Sequence, residues 1–476
     1  MRFSGVNPYI FVGLAVIVNL LFSFPHLGKP FIYDEIEFVN FSPILTLHPP
    51  LYVSCIWMLK HLFGAHEWVF RAFGMVCGYG AALFIYLITQ YLRPQYGWVA
   101  VVLYVMSPLV IQGGLIPDID NTILPMIILG ILYTFLRMPR TWKRLLMVSL
   151  FCFVALMAKT TTIYAVMFGL IVAEGVIYRR WQSALSFLVA FLMVGALFHV
   201  TLYELSVWSH LNFYVDTLAH NHVKVSEILS GLASPITYFK IAYNAHALIV
   251  WISLFWVALL LIKAAQRFRG DMTESEKTLY LILFLTTVPY FLIRGTAGGF
   301  PKYTFLAISL LVILLTVSID FAKFSILRRS TILPGAIVVI FLAMYVVVRD
   351  PLLTPVIIKS LTLSDPRMIA QLVHFYVHQY LFWTVLFVGS ALLFKQFRFP
   401  EWLFVFGILY ALNLNLHQRS ADYSTRYSYG ERGAEQLIAY LKEQGYSSKL
   451  ILARKHIIFY LDDWKKQRDE EFILSD

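Results

Sequence analysis

Apolar runs long enough to cross a bilayer recur from residue 9 almost to the carboxy terminus, and this recurrence constrains the fold more than any other feature. Hydrocarbon offers no water to satisfy peptide groups, so a crossing chain must be helical or close into a barrel, and runs of roughly 17–25 apolar residues select helix. About thirteen such runs can be placed, near residues 9 to 24, 72 to 92, 97 to 112, 121 to 136, 144 to 158, 161 to 178, 183 to 203, 246 to 263, 279 to 293, 303 to 320, 331 to 348, 379 to 394 and 400 to 416. The composition agrees, with 59% hydrophobic and 14% charged residues and a mean hydropathy of +0.71, against roughly 45–50% and about 25% for soluble domains. The expected class is an all-α polytopic membrane protein over residues 1–416, followed by a short water-soluble tail, 417–476.

The tail reads as a small α/β element. In "GERGAEQLIAYLKEQG", Ala434, Leu437, Ile438 and Leu441 share one helical face and Gly445 suits a C-cap, after which "KLILA" has the pattern of a strand. The stretch from Leu51 to Leu62 is too short and too polar at its end to traverse, so it is expected as an outer amphipathic helix along the membrane surface, with Pro49 and Pro50 at its first turn.

The formal charge of +11 is carried by short clusters between apolar runs: Arg137, Arg140, Lys143 and Arg144; Arg179 and Arg180; Lys263, Arg267 and Arg269; Lys323, Arg328 and Arg329; Lys395 and Arg398. The positive-inside rule reads these as cytoplasmic loops, which assigns the charge to orientation and excludes nucleic acid as its partner. With a cytoplasmic amino terminus, alternation of the spans puts every cluster inside and carries the tail out. The segments 25 to 71, 204 to 245 and 349 to 378 and the turns 113 to 120, 158 to 160 and 294 to 302 then face outward. The first run follows Arg2, lacks a small-x-small cleavage site, and reads as an uncleaved first span. Cys55, Cys77 and Cys152 have neither metal-ligand spacing nor a paired framework.

Against this apolar background, "YDEIEF" at residues 33 to 38 sets Asp34, Glu35 and Glu37 at the edge of a span, where burying charge is expensive. Most other unusual polar residues gather on the same outer side: Asp118 and Asp120 in "GGLIPDIDN", Lys159 at a turn with almost no loop, and Lys302 and Tyr303 in "GGFPKYTF". Each has a plain structural reading beside the chemical one. Asp34 and Glu35 suit a helix cap, Asp120 or Asn121 a helix start, and lysines at span ends snorkel to the interface. Asp-x-Asp also presents two hard oxygen ligands, which leaves a divalent cation shared by Asp118 and Asp120 open. His210, His220 and His222, with Asp216, fit no zinc spacing. Placement at span ends on one face, without repeated halves, favours chemistry at the outer interface over a transporter of lipid-linked sugars. A non-catalytic subunit that binds a lipid carrier is a third reading.

"YDEIEF" is followed in order by "HPPLYVSCIWMLKHLFGAHEWVFRAFG", "SPLVIQGGLIPDIDN", "LMAKTTTIYAV" and "FPKYTFLAI". In this order, over residues 1 to about 320, the chain resembles the bacterial branch of the protein O-mannosyltransferase superfamily, which includes the lipid A aminoarabinose transferases. The resemblance implies a C-type glycosyltransferase fold in the inner membrane. It also implies an active site on the periplasmic side, a polyprenyl-phosphate sugar donor, and a glycan, lipid or protein acceptor. Asp34 matches the first acidic residue of the family motif and is thereby implied as general base, with Glu35 positioning it. Asp118 matches a second outer acidic position. Lys159, Lys302 and Tyr303 are implied at the lipid phosphate, with Arg71 behind them and His48 at the matching basic position. Leu47 stands where the aminoarabinose transferase has an acidic residue, so a zinc site does not carry over.

Overall fold

The computed structural model of the chain describes residues 9–28, 31, 48–105, 107, 110, 114–210, 212–221, 272–293, 305–318 and 434–445. Two compact units divide the chain. One comprises Met1–Phe22, Ile85–Gln112 and Val225–Tyr423; the other comprises Ser23–Phe84, Gly113–Lys224 and Ser424–Asp476. Helices are the regular elements throughout the described residues.

In the first unit, α1 (Tyr9–Ser23) packs on α4 (Gly97–Val105). Phe11 stacks on Trp98 with ring centroids 5.7 Å apart, and the buried Asn19 amide donates to the Val105 carbonyl at 3.0 Å. That bond satisfies a polar group inside an apolar helix, where it would otherwise cost several kcal/mol. Two later helices, α10 (Glu274–Ile293) and α11 (Phe305–Ser318), belong to the same unit. α10 begins with a reciprocal cap: the Thr273 N–H donates to the Glu276 carboxylate at 2.8 Å, and the Glu276 N–H donates to the Thr273 hydroxyl at 3.2 Å.

The second unit holds α2 (Leu51–Phe63), the start of α3 (Glu67–Leu92), α5 (Ile123–Arg137), α6 (Trp142–Leu156), α7 (Thr160–Val172), α8 (Trp181–Ser209), α9 (Phe213–Asn221) and the tail helix α12 (Ala434–Glu443). α7 ends in a π turn, Ala173–Ile177. Neighbours in sequence pack as antiparallel pairs, α5 on α6 and α6 on α7, and α8 covers both α6 and α7. The α8 face toward them is Ala184, Phe187, Phe191, Val194, Phe198 and Leu202, at helical spacing. Leu185, Val189, Leu192, Met193 and Val200 point outward and are also apolar. A helix apolar on its inner and outer faces alike suits lipid rather than water.

Tyr9–His26, Glu67–Leu92, Thr160–Ile177 and Trp181–Ser209 are long and apolar enough to cross a membrane, and Leu51–Phe63 and Ile123–Arg137 are shorter apolar helices. The expected runs near 246 to 263, 331 to 348, 379 to 394 and 400 to 416, and the tail strand, lie outside the described residues. The expected span at 183 to 203 runs on to Ser209, where His210 takes the left-handed conformation that ends it. Gly445 has φ +71 just past the tail helix, as its place in the sequence predicts. α2 has 13 residues, about 20 Å at the usual rise, too short to cross and consistent with the expected surface helix. Gly64, at φ +82, ends it before α3.

Candidate active site

The site is assembled from four separated stretches of the second unit. α6 reverses into α7 almost without a loop: the Ala158 and Lys159 N–H groups both donate to the Ala155 carbonyl, at 3.0 and 2.9 Å. Lys159 is therefore the N-cap residue of α7, with extended backbone. The first N–H groups of a helix lack intrahelical partners and carry the positive end of its dipole, so an ammonium here adds to an electropositive spot. Asp120 answers it with a direct ion pair to the Lys159 Nζ. The two side chains are 10% and 11% exposed.

The loop carrying Asp120 is wired by its own polar groups. The Asp118 Oδ1 accepts the Asp120 N–H at 3.0 Å, the Asn121 amide donates to the Ile116 carbonyl at 3.0 Å, and the Thr122 hydroxyl donates to the Asp118 carbonyl. Asp118 is 3% exposed. The sequence gives the two aspartates equal access to any partner, whereas the folded turn gives them different tasks. Asp118 shapes the turn, and Asp120 reaches Lys159. The helix that follows starts at Ile123 after Thr122, without a side-chain cap bond.

α3 holds this loop from beneath. Arg71 is wholly buried; its Nη1 donates to the Leu115 carbonyl at 2.6 Å, and its guanidinium lies 5.0 Å from the centre of the Phe31 ring. One turn along, Gly74 lets the loop approach so closely that a Cβ there would sit 2.7 Å from the Gly114 carbonyl oxygen. Arg71 thus touches residues just ahead of both acidic segments, Phe31 before Asp34 and Leu115 before Asp118.

The His-Pro-Pro stretch joins through the backbone. The Leu51 N–H, an orphan at the start of α2, donates to the Met157 carbonyl at 2.9 Å, which fixes the chain just after His48 against the Lys159 turn. Asp34, Glu35, Lys302 and Tyr303 lie outside the described residues. Among the described residues, no three His, Cys, Asp or Glu side chains come together as a metal site. The Asp120 carboxylate meets Lys159, and the Asp118 Oδ1 accepts an N–H.

Residues 47–203, which hold His48, Arg71, Asp118, Asp120 and Lys159, match the family described as dolichyl-phosphate-mannose-protein mannosyltransferase. ArnT from Cupriavidus metallidurans in the apo state is similar in structure, with a TM-score of 0.59 at 16% identity over 95% of this chain and 83% of that one. The same protein bound to undecaprenyl phosphate gives a TM-score of 0.59 at 14% identity, over 95% and 84% of the two chains. The chain has a C-type glycosyltransferase fold. No curated protein sequence matches it.

Within this C-type glycosyltransferase fold, two features escaped the sequence reading. Thr160, beside Lys159, buries a hydroxyl that has no hydrogen-bond partner among the described residues; the signal was the run Lys-Thr-Thr-Thr at a helix start. At the other end of α7, buried Glu174 pairs with Arg144 at 2.6 Å. A lone carboxylate within the run 161 to 178 is the kind of intramembrane charge that marks a required partner.

Proposed function

We propose that the protein is an integral membrane glycosyltransferase that moves a sugar from a polyprenyl-phosphate donor to an acceptor hydroxyl on the periplasmic face of the inner membrane. Asp34 takes the proton of the acceptor hydroxyl as general base, and Glu35 positions it. The acceptor oxygen attacks the anomeric carbon opposite the phosphate, and that carbon's bond to the phosphate oxygen breaks. A single displacement of this kind inverts the anomeric centre. The departing lipid phosphate gains a negative charge, so it needs cations and N–H donors rather than a general acid. Lys159, Lys302, Tyr303 and His48 supply that surface, with Arg71 behind them, and Asp118 and Asp120 shape the acceptor side.

One observation carries this reading. The start of α7, with the Lys159 ammonium, the orphan N–H groups of the helix and the buried Thr160 hydroxyl, is a place where an anionic group is stabilised, and the acidic loop borders it. The Asp120 carboxylate pairs with Lys159 at this border. The test is purified protein in lipid with candidate polyprenyl-phosphate sugars, scoring free lipid phosphate released in the presence of acceptor. Release above a protein-free control is expected. Movement of intact lipid-linked sugar across vesicles without release would overturn the enzyme reading in favour of a transporter.

A further inference from the structure

The loops at the opposite end of the second unit's helices carry a feature that the transfer reaction does not use. α5 is 15 residues long, so the α5–α6 loop stands about 22 Å from the acidic turn at the usual rise. The loop after the π turn, 178–180, meets it there: the Arg140 guanidinium lies 4.2 Å from the Tyr178 ring centre, and Tyr178 packs edge-on to Phe135 at 6.2 Å. Beneath them, Arg144 bonds Glu174 at 2.6 Å and lies over the Phe135 and Phe187 rings at 4.8 and 5.5 Å. A buried ion pair and its aromatic walls therefore lock the two loops into one surface.

That surface is cationic. Arg140, Lys143, Arg179 and Arg180 are all exposed, and no carboxylate among the described residues pairs with Lys143, Arg179 or Arg180. Trp142 and Trp181, each opening a helix, flank it at 68% and 70% exposure, as expected of side chains at headgroup depth. Arg179 adds an independent sign. It has φ +55, the left-handed conformation that follows a helix C-cap and that glycine usually supplies, while the Arg180 N–H closes the turn on the Glu174 carbonyl at 2.8 Å. Backbone strain at a long cation where glycine would fit better points to a use for the side chain.

We propose that these two loops form a binding site for the phosphate of an anionic phospholipid in the adjoining leaflet, separate from the transfer site. Charge complementarity selects the headgroup, and the flanking tryptophans select a bilayer lipid over a soluble anion.

The experiment measures the thermal midpoint of the purified full chain in neutral detergent. It is titrated with phosphatidylglycerol, with phosphatidylcholine and with inorganic phosphate, for wild type, Arg179→Gly and Arg180→Gln. Phosphatidylglycerol alone should raise the wild-type midpoint. Each lost cation should raise the half-saturating lipid concentration about fivefold. Arg179→Gly should begin at an equal or higher midpoint without lipid, because the strain is relieved, and yet gain less from phosphatidylglycerol. Should Arg179→Gly fail to fold, Arg180→Gln alone decides. An unchanged phosphatidylglycerol response in Arg180→Gln overturns the proposal, as does an equal rise with phosphatidylcholine or inorganic phosphate.

Discussion

Splitting the Lys159–Asp120 pair should be strongly destabilising. The side chains are 11% and 10% exposed, so bulk water does little to screen either charge when the pair is split. Lys159→Met leaves the Asp120 carboxylate beside an apolar chain, and Asp120→Asn leaves an ammonium at the positive end of α7. Breaking a buried pair from one side costs about 3–5 kcal/mol, whereas an exposed pair is worth about 0–1 kcal/mol. The double variant Lys159→Met/Asp120→Asn removes both charges of the pair and should be less destabilised than the sum of the singles, by up to about 3 kcal/mol. Sodium dodecyl sulfate unfolding in mixed micelles, followed by tryptophan fluorescence, gives the four corners of the cycle, and differences between corners cancel the uncertain reference state. Single variants within about 1 kcal/mol of wild type, or strict additivity in the double, would show that the pair is solvated and that Asp120 is not the residue that balances Lys159.

Three further outcomes are expected. Gly74→Ala places a Cβ 2.7 Å from the Gly114 carbonyl oxygen, whereas a Cβ at Gly78, on the same helix, meets nothing within 4 Å. Donor turnover should therefore fall in Gly74→Ala and hold in Gly78→Ala, and equal rates in the two would mean that the acidic loop is not held by α3. Asp34→Asn should abolish transfer while the thermal midpoint stays near wild type, because the amide keeps the shape and loses the base; wild-type turnover in that variant would sink the proposed mechanism. A cysteine at Ser447, in a chain whose three native cysteines are replaced, should react with an impermeant maleimide in intact cells once the outer membrane is opened. Labelling only after the cytoplasm is exposed would invert the expected topology.

Much of this architecture is local, and local features are readable in a sequence. Spanning helices follow from apolar length, because a chain in hydrocarbon has no other way to satisfy its peptide groups. The end of the tail helix at Gly445 and the start of α2 after Pro49 and Pro50 follow from single-residue φ preferences. The near absence of a loop between α6 and α7, which brings Lys159 to a helix start, follows from the spacing of the two apolar runs. Ordered motifs also pointed to the fold that the structural likeness bears out.

Pairing was not readable. Asp118 and Asp120 differ by two positions and are chemically identical, and the turn alone, through the Asp118 Oδ1 and the Asn121 and Thr122 bonds, turns one inward on itself and the other to Lys159. Arg144 reads in sequence as one more cytoplasmic cation, and only packing against Phe135 and Phe187 takes it out of water and commits it to Glu174. Arg71 likewise reads in sequence as a cation behind the phosphate site, and the fold alone sets it against Phe31 and the Leu115 carbonyl. Apolar length is additive along the chain and survives without tertiary context. The direction of a charged side chain depends on neighbours brought from distant segments, and at these positions the tertiary structure alone decided which charges meet.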